Sequence, residues 1–151
     1  MTQPSGDDER RIVVGVDGSA SSKAALAWAV KQARLTGATA GVVMAWEFTG
    51  NYGFPVPGLP YIDLAGIAAR VVADAIAEVS SPDEPVKIMS MVAEGNPAQV
   101  LLDASEGAEL LVVGSRGHGG FTEALLGSVS QHCVHHATCP VVVIRDSVTG
   151  S

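Results

Sequence analysis

Residues 109–128 read ELLVVGSRGHGGFTEALLGS, an apolar run that passes directly into a segment holding five of the chain's 17 glycines. The apolar part suits a strand covered on both faces, as in a parallel sheet. Gly114, Gly117, Gly127 and Ser128 then spell G-x2-G-x9-G-S, with a helix beginning near Ser128. A buried strand, a glycine-rich turn and a helix start in that order belong to an α/β chain.

The same alternation runs outward in both directions. RIVVGVD (11–17) is a valine-rich run that ends in a turn signal, and SASSKAALAWAVKQARLTG (19–37) has helical spacing. Ser19 is a suitable N-cap, Leu26, Val30 and Ala33 share one face, and Gly37 stops the helix. ATAGVVMAW (38–46) reads as a second strand, and FTGNYGFPVPGLP (48–60) as a long loop broken by aromatics, prolines and glycines. A helix follows over 65–79, with Ala68, Val71, Val72, Ala75 and Val79 inward. Then come a strand at 86–92, a short helix opened by Asn96 or Pro97 and reaching Ala104, a strand at 109–113, a helix near 128–136 and a strand at 140–145. Repeated strand–helix–strand units demand right-handed crossovers. The expected fold is therefore a single doubly wound α/β domain over 11–146, a five-stranded parallel sheet with helices on both faces, between polar tails at 1–10 and 147–151. Ligands of such sheets lie beyond the carboxyl ends of the strands, where the strand order reverses. That directs attention to Asp17 and Gly114.

Composition narrows the function. The net charge is −7 and the sequence pI about 4.9, which argues against a nucleic-acid backbone or an anionic membrane as partner. No apolar run reaches the roughly 18 residues of a membrane span. The polar, acidic start MTQPSGDDERR does not resemble a secretory signal, and two cysteines make no disulfide framework, so a cytoplasmic location is expected. An anionic ligand must then be held by local donors against an unfavourable overall field.

The glycine segment can supply such donors. Glycine after a buried strand permits positive φ and close approach of a ligand, and successive N–H groups can form an anion nest. Ser128 would start a helix whose free N–H groups favour phosphate. The helix dipole contributes only about 0.3–2 kcal/mol, whereas micromolar binding needs about 8 kcal/mol. An adenine burying apolar surface nearby would make up the difference, with Val43 and Ala45 at the end of the second strand as candidates and Val16 beneath them. Asp17 can accept from a ribose hydroxyl, hold a magnesium ion, or cap the helix that follows it. Gly18, Ser19 and Ser115 complete the candidate set. The segment is not a P-loop, because no lysine follows its glycines, and VGVDGSAS lacks the G-x-G-x-x-G spacing.

IVVGVDGSASSKAALAWA near the start and LLVVGSRGHGGFTEALLGSVSQHCVHHATCPVVVIR near the end together resemble the universal stress protein (UspA) family, over essentially residues 11–145. With its glycine motif complete, the chain is similar to the ATP-binding branch. The resemblance implies a Rossmann-like sheet of order 3-2-1-4-5, like that of the adenine nucleotide alpha hydrolases. It implies adenine and ribose contacts at Val16, Asp17 and Val43. It also implies phosphate contacts at Gly114, Arg116, Gly117, His118, Gly127, Ser128, Val129 and Ser130. The implied role is a homodimeric stress sensor or regulator that binds ATP, with AMP or cyclic AMP as alternative ligands and magnesium as a companion of ATP. Nothing is carried onto the loop 48–60.

Rival readings stay open. The chain could be a slow ATPase, or an enzyme that phosphorylates itself on Ser128 or Ser130, although no Ser-His-Asp set or paired carboxylates can be placed. PVVVIRD (140–146) is an apolar edge strand with weak protection, which suits two-fold pairing with its twin unless residues 147–151 cover it. His132, Cys133, His135, His136 and Cys139 invite a metal reading. However, Cys133 points away from the His132–His136 face, structural zinc usually draws ligands from two segments, and a helix C-terminus welcomes histidine in any case. The two cysteines are expected to pack as small hydrophobes.

Overall fold

The computed structural model describes residues 10–47, 63–115 and 126–145. Its elements are β1 (Arg11–Gly15), α1 (Ala20–Thr36), β2 (Thr39–Trp46), α2 (Leu64–Val79), β3 (Ile88–Glu94), α3 (Pro97–Ala104), β4 (Leu110–Gly114), α4 (Ser128–His136) and β5 (Val141–Ile144). The strands are all parallel and lie in the order β3-β2-β1-β4-β5. Every expected strand and helix is present. The loop 48–60, the tails and most of the glycine segment lie outside the described residues.

Because side chains alternate across a strand, the valine runs fill two cores at once. Ile12, Val14, Val16, Ala40, Val42 and Val112 pack beneath α1 and α2. Val13, Val43, Leu111 and Val113 pack on the opposite face beneath α3 and α4. This double covering is why β1 and β4 read as unbroken apolar runs and not as alternating ones.

The helix boundaries follow from local chemistry. Ser19 caps α1 by accepting from the Ser22 N–H at 3.2 Å, and Gly37 ends it at φ 76°, in the left-handed region. Leu26, Val30 and Ala33 are buried, as their spacing predicts. Asp63 accepts from the Gly66 N–H at the start of α2, and Asn96 from the Gln99 N–H at the start of α3, where Pro97 occupies the first turn. In α2 the fully buried residues are Ala68, Val72 and Ala75. Val71, expected inward, is only half-buried: it lies about 100° around the helix from Val72 and lines a shallow outer hollow with Ile67 and Arg70.

The strand order makes β3 and β5 the two edges. All four residues of β5 are half-buried. On β3, Met89 and Met91 are 59% and 42% exposed, on the face that the short α3 does not reach. The chain reverses strand order between β1 and β4, so the segments after Gly15 and Gly114 leave the same end of the sheet side by side.

Candidate functional site

Two strand-to-helix junctions flank that crevice. At the first, β1 runs on through Val16, whose N–H donates to the Val43 carbonyl at 2.9 Å. The chain then turns at Gly18, φ 85°, a conformation for which glycine carries no Cβ penalty. The Asp17 N–H donates to Ser22 Oγ at 3.1 Å, and Asp17 Oδ1 accepts from the Ser19 N–H at 2.9 Å. Ser22 Oγ in turn donates to the Ser19 carbonyl at 3.1 Å. Asp17 is therefore not the cap of α1, which is Ser19; it braces the turn before it by accepting from the Ser19 N–H.

Three candidate apolar positions separate onto two faces. Val16 packs into the α1–α2 core, while Val43 and the half-buried Ala45 belong to the α3–α4 side. Val43 and Ala45 can form one surface. Val16 reaches the crevice only through its backbone.

At the second junction the structure adds a reason for Gly114. Of the two uses open to a glycine there, positive φ and close approach of a ligand, the first is not taken up: the positive-φ glycines among the described residues are Gly18, Gly37, Gly95 and Gly107. What excludes a side chain is α1. A Cβ on Gly114 would lie 2.7 Å from the Ser21 carbonyl carbon and 2.8 Å from its oxygen, and would also run into Ser21 Oγ. The first turn of α1 thus rests directly on the end of β4.

The other side of the same residue anchors α4. Ser130 Oγ donates to the Gly114 carbonyl at 2.9 Å and to that of Ser115 at 3.3 Å. The Gly127 N–H donates to the Ser115 carbonyl at 2.6 Å, and the Ser115 N–H to Ile144 at 2.8 Å. Ser115 and Ser130 are both buried. Arg116, Gly117 and His118 lie outside the described residues.

Gly127 is the N-cap of α4, with extended geometry (φ −72°, ψ 170°) and no side-chain cap hydrogen bond. The first-turn N–H groups of Ser128, Val129 and Ser130 gather at this end, where Gly127 has no side chain of its own to cap them, with the positive end of the helix dipole behind them. Ser128 is exposed, Val129 half-buried. Such an end suits an anion. Sequence reasoning did not single out Ser21 and Ser22, which are both buried: Ser21 lies against Gly114 at the end of β4, and Ser22 ties the β1 turn together through Asp17 and Ser19. The cluster of small residues in SASSK was the available signal.

No group of three or more histidine, cysteine, aspartate or glutamate side chains suited to a metal occurs among the described residues. Cys133 and Cys139 are both free. Burial, and secondarily Cys139, pushes the Cys133 thiol up to about 11, as expected of an inert packing residue. No helix among the described residues is long and apolar enough to cross a membrane.

Comparison with known proteins now bears on this geometry. The universal stress protein family model matches residues 9–145. The chain belongs to that family. A universal stress protein of Mycobacterium tuberculosis is 35% identical over 138 residues, covering 91% of this chain and 46% of that one. A universal stress protein of Thermus aquaticus is 36% identical over 146 residues, covering 90% of this chain and 98% of its own length. The chain thus spans about half the length of the mycobacterial relatives and nearly all of the Thermus one. Among solved structures, a universal stress protein in complex with cAMP is 26% identical with a TM-score of 0.64, covering 92% of this chain and 98% of that one. A solved universal stress protein from Lactobacillus plantarum, 22% identical with a TM-score of 0.66 and covering 90% of this chain and 97% of that one, shares the fold.

Proposed function

We propose that this universal stress protein binds an adenine nucleotide in the crevice between the ends of β1 and β4, and that ATP is its ligand. The single observation that carries the proposal is the start of α4, where the N-cap Gly127 brings no side chain of its own to the first-turn amides, at the same end of the sheet as the Asp17 carboxylate. Phosphate oxygens would take the N–H groups of Ser128, Val129 and Ser130, together with those of the glycine segment around Gly117. Asp17 would accept from the ribose, with Gly18 and Ser19 beside it, while Val43 and Ala45 would border the adenine. Support comes also from relatives: one solved universal stress protein holds cAMP, and more distant ones hold AMP and dAMP.

A magnesium ion would enter with the triphosphate. Magnesium is commonly held by one or two carboxylates together with substrate phosphates, and Asp17 offers one carboxylate. Ser130 is a poor candidate for self-phosphorylation, since its hydroxyl is buried and donates to the Gly114 and Ser115 carbonyls. The role is that of a cytoplasmic sensor in the stress response, where occupancy changes the surface that partners meet.

The sensor would act as a homodimer through β5. What supports pairing is the edge position of that strand and its half-buried valines. Val142→Lys is expected to yield monomers in light scattering. An unchanged dimer would place the two-fold interface elsewhere.

The test of binding is calorimetric titration of the full chain with ATP, AMP and cAMP, alongside denaturation of freshly purified protein and chromatography of what it releases. Binding of at least one of these, with no phosphate released from labelled ATP above background, is the expected result. Steady phosphate release would make the protein an ATPase. Absence of binding to all three would overturn the proposal.

A further inference from the structure

The far end of α4 carries a different chemistry. His132 and His136 are four residues apart, both exposed, with ring centres 4.5 Å apart and planes inclined by 36°. His135 lies farther from His136, at 6.4 Å between ring centres. We propose that His132 and His136 together bind a divalent transition-metal ion of the nickel–copper–zinc class at the surface of the protein, about a helix length from the nucleotide crevice.

Three observations carry this site. The first is the geometry. Residues four apart on a helix project side by side. Two imidazoles bound cis to one ion at about 2.1 Å need their donor nitrogens about 3 Å apart, and rings centred 4.5 Å apart meet that with small side-chain rotations. The second is position. Both residues lie in the last two turns of α4, which ends at Ala137, where the unpaired carbonyls place the negative end of the helix dipole beside any cation. The third is the charge of −7 on the whole chain, which draws cations and offers no competing cationic field.

Two ligands define the kind of site. Among the described residues no third histidine, cysteine or carboxylate completes a cluster, and Cys133 is buried beneath the helix. Water fills the remaining positions. The site is thus open and exchangeable, unlike a closed structural zinc site. Neutral imidazole suits nickel, copper and zinc, and magnesium prefers oxygen donors.

The experiment uses the full chain free of any polyhistidine tag, titrated calorimetrically with Ni2+ alone and, separately, with Mg2+. One equivalent of Ni2+ is expected to bind, with no comparable heat from Mg2+. His132→Gln and His136→Gln should each lower nickel affinity about a hundredfold, the loss expected when two linked contacts become one. His135→Gln should leave it nearly unchanged. Circular dichroism of these surface variants should match the parent. In the unaltered protein, paramagnetic broadening by Ni2+ should reach the ring protons of His132 and His136 before those of His118. Unchanged affinity in either glutamine variant, equal loss in His135→Gln, equal binding of Mg2+, or first broadening at His118 would each overturn the assignment.

Discussion

The junction from β1 to α1 and the junction from β4 to α4 occupy neighbouring positions at one end of the sheet, yet they are finished in opposite ways. The first is closed by its own side chains: Ser19 caps the helix, Asp17 binds the Ser19 amide, and Ser22 takes the Asp17 amide. The second begins its helix at a glycine, which has no side chain to cap it, and the hydroxyl of Ser130 donates back to the Gly114 carbonyl. A closed helix start spends its donors on the protein, and an open one holds them out to a ligand. The difference gives the β1 side rigidity and suits the β4 side to the anion capture proposed above.

The largest expected effect comes from the residue where the two junctions touch. Gly114→Ala would force a methyl group into the Ser21 backbone, and rigid overpacking of this kind costs about 3 kcal/mol. Denaturant unfolding of the ligand-free protein measures it. A loss of nucleotide affinity with stability unchanged would instead make Gly114 a ligand-contact residue and break the comparison.

A smaller effect follows from closing the open end. Gly127→Asp fits the extended geometry of that position without strain, supplies the missing cap, and gives the ligand-free protein a few tenths of a kcal/mol. The same carboxylate would repel phosphate, so nucleotide affinity should fall about tenfold, or about 1.4 kcal/mol. Calorimetry and melting on one variant read both signs. The smallest effect is on the closed side: Ser19→Ala should cost about 1 kcal/mol of stability through the lost cap, with nucleotide affinity nearly unchanged. A large loss of affinity there would show that the Ser19 hydroxyl itself, and not only the turn backbone and Asp17, grips the ligand.

Much of the fold was legible in the sequence because its signals are local. Valine runs doubly covered by helices, Ser19 and Asn96 as caps, and Gly37 as a stop each act over a few residues, and the strands and helices lie within about two residues of their expected bounds. The reason for Gly114 was not legible, because the atoms that exclude its side chain belong to Ser21, more than 90 residues earlier. The split of Val16 from Val43 and Ala45 onto opposite faces depends on how the strands pair and pleat, which is set between strands and not within them. Val71 was expected inward beside Val72, but the buried stripe of α2, Ala68, Val72 and Ala75, is too narrow to include a residue about 100° further round, unlike that of α1, where Ala25 and Leu26 are both buried. The exposed methionines of β3 were hidden in a segment that alternates regularly, since alternation does not say whether a helix covers the second face. At the site, the candidates in the described residues on either side of the glycine segment lie at one sheet end, while their bonds to each other and not their types decide how each junction is built.

The claim that an open α4 start and the β1 turn jointly receive an adenine nucleotide is tested most directly by amide spectra of isotope-labelled protein during nucleotide titration. Saturating ATP, AMP or cAMP should shift the N–H resonances of Ser128, Val129 and Ser130 together with those of Asp17, Gly18 and Ser19, more than any along α2. Shifts confined to other surfaces, or none at these six positions at saturation, would contradict it.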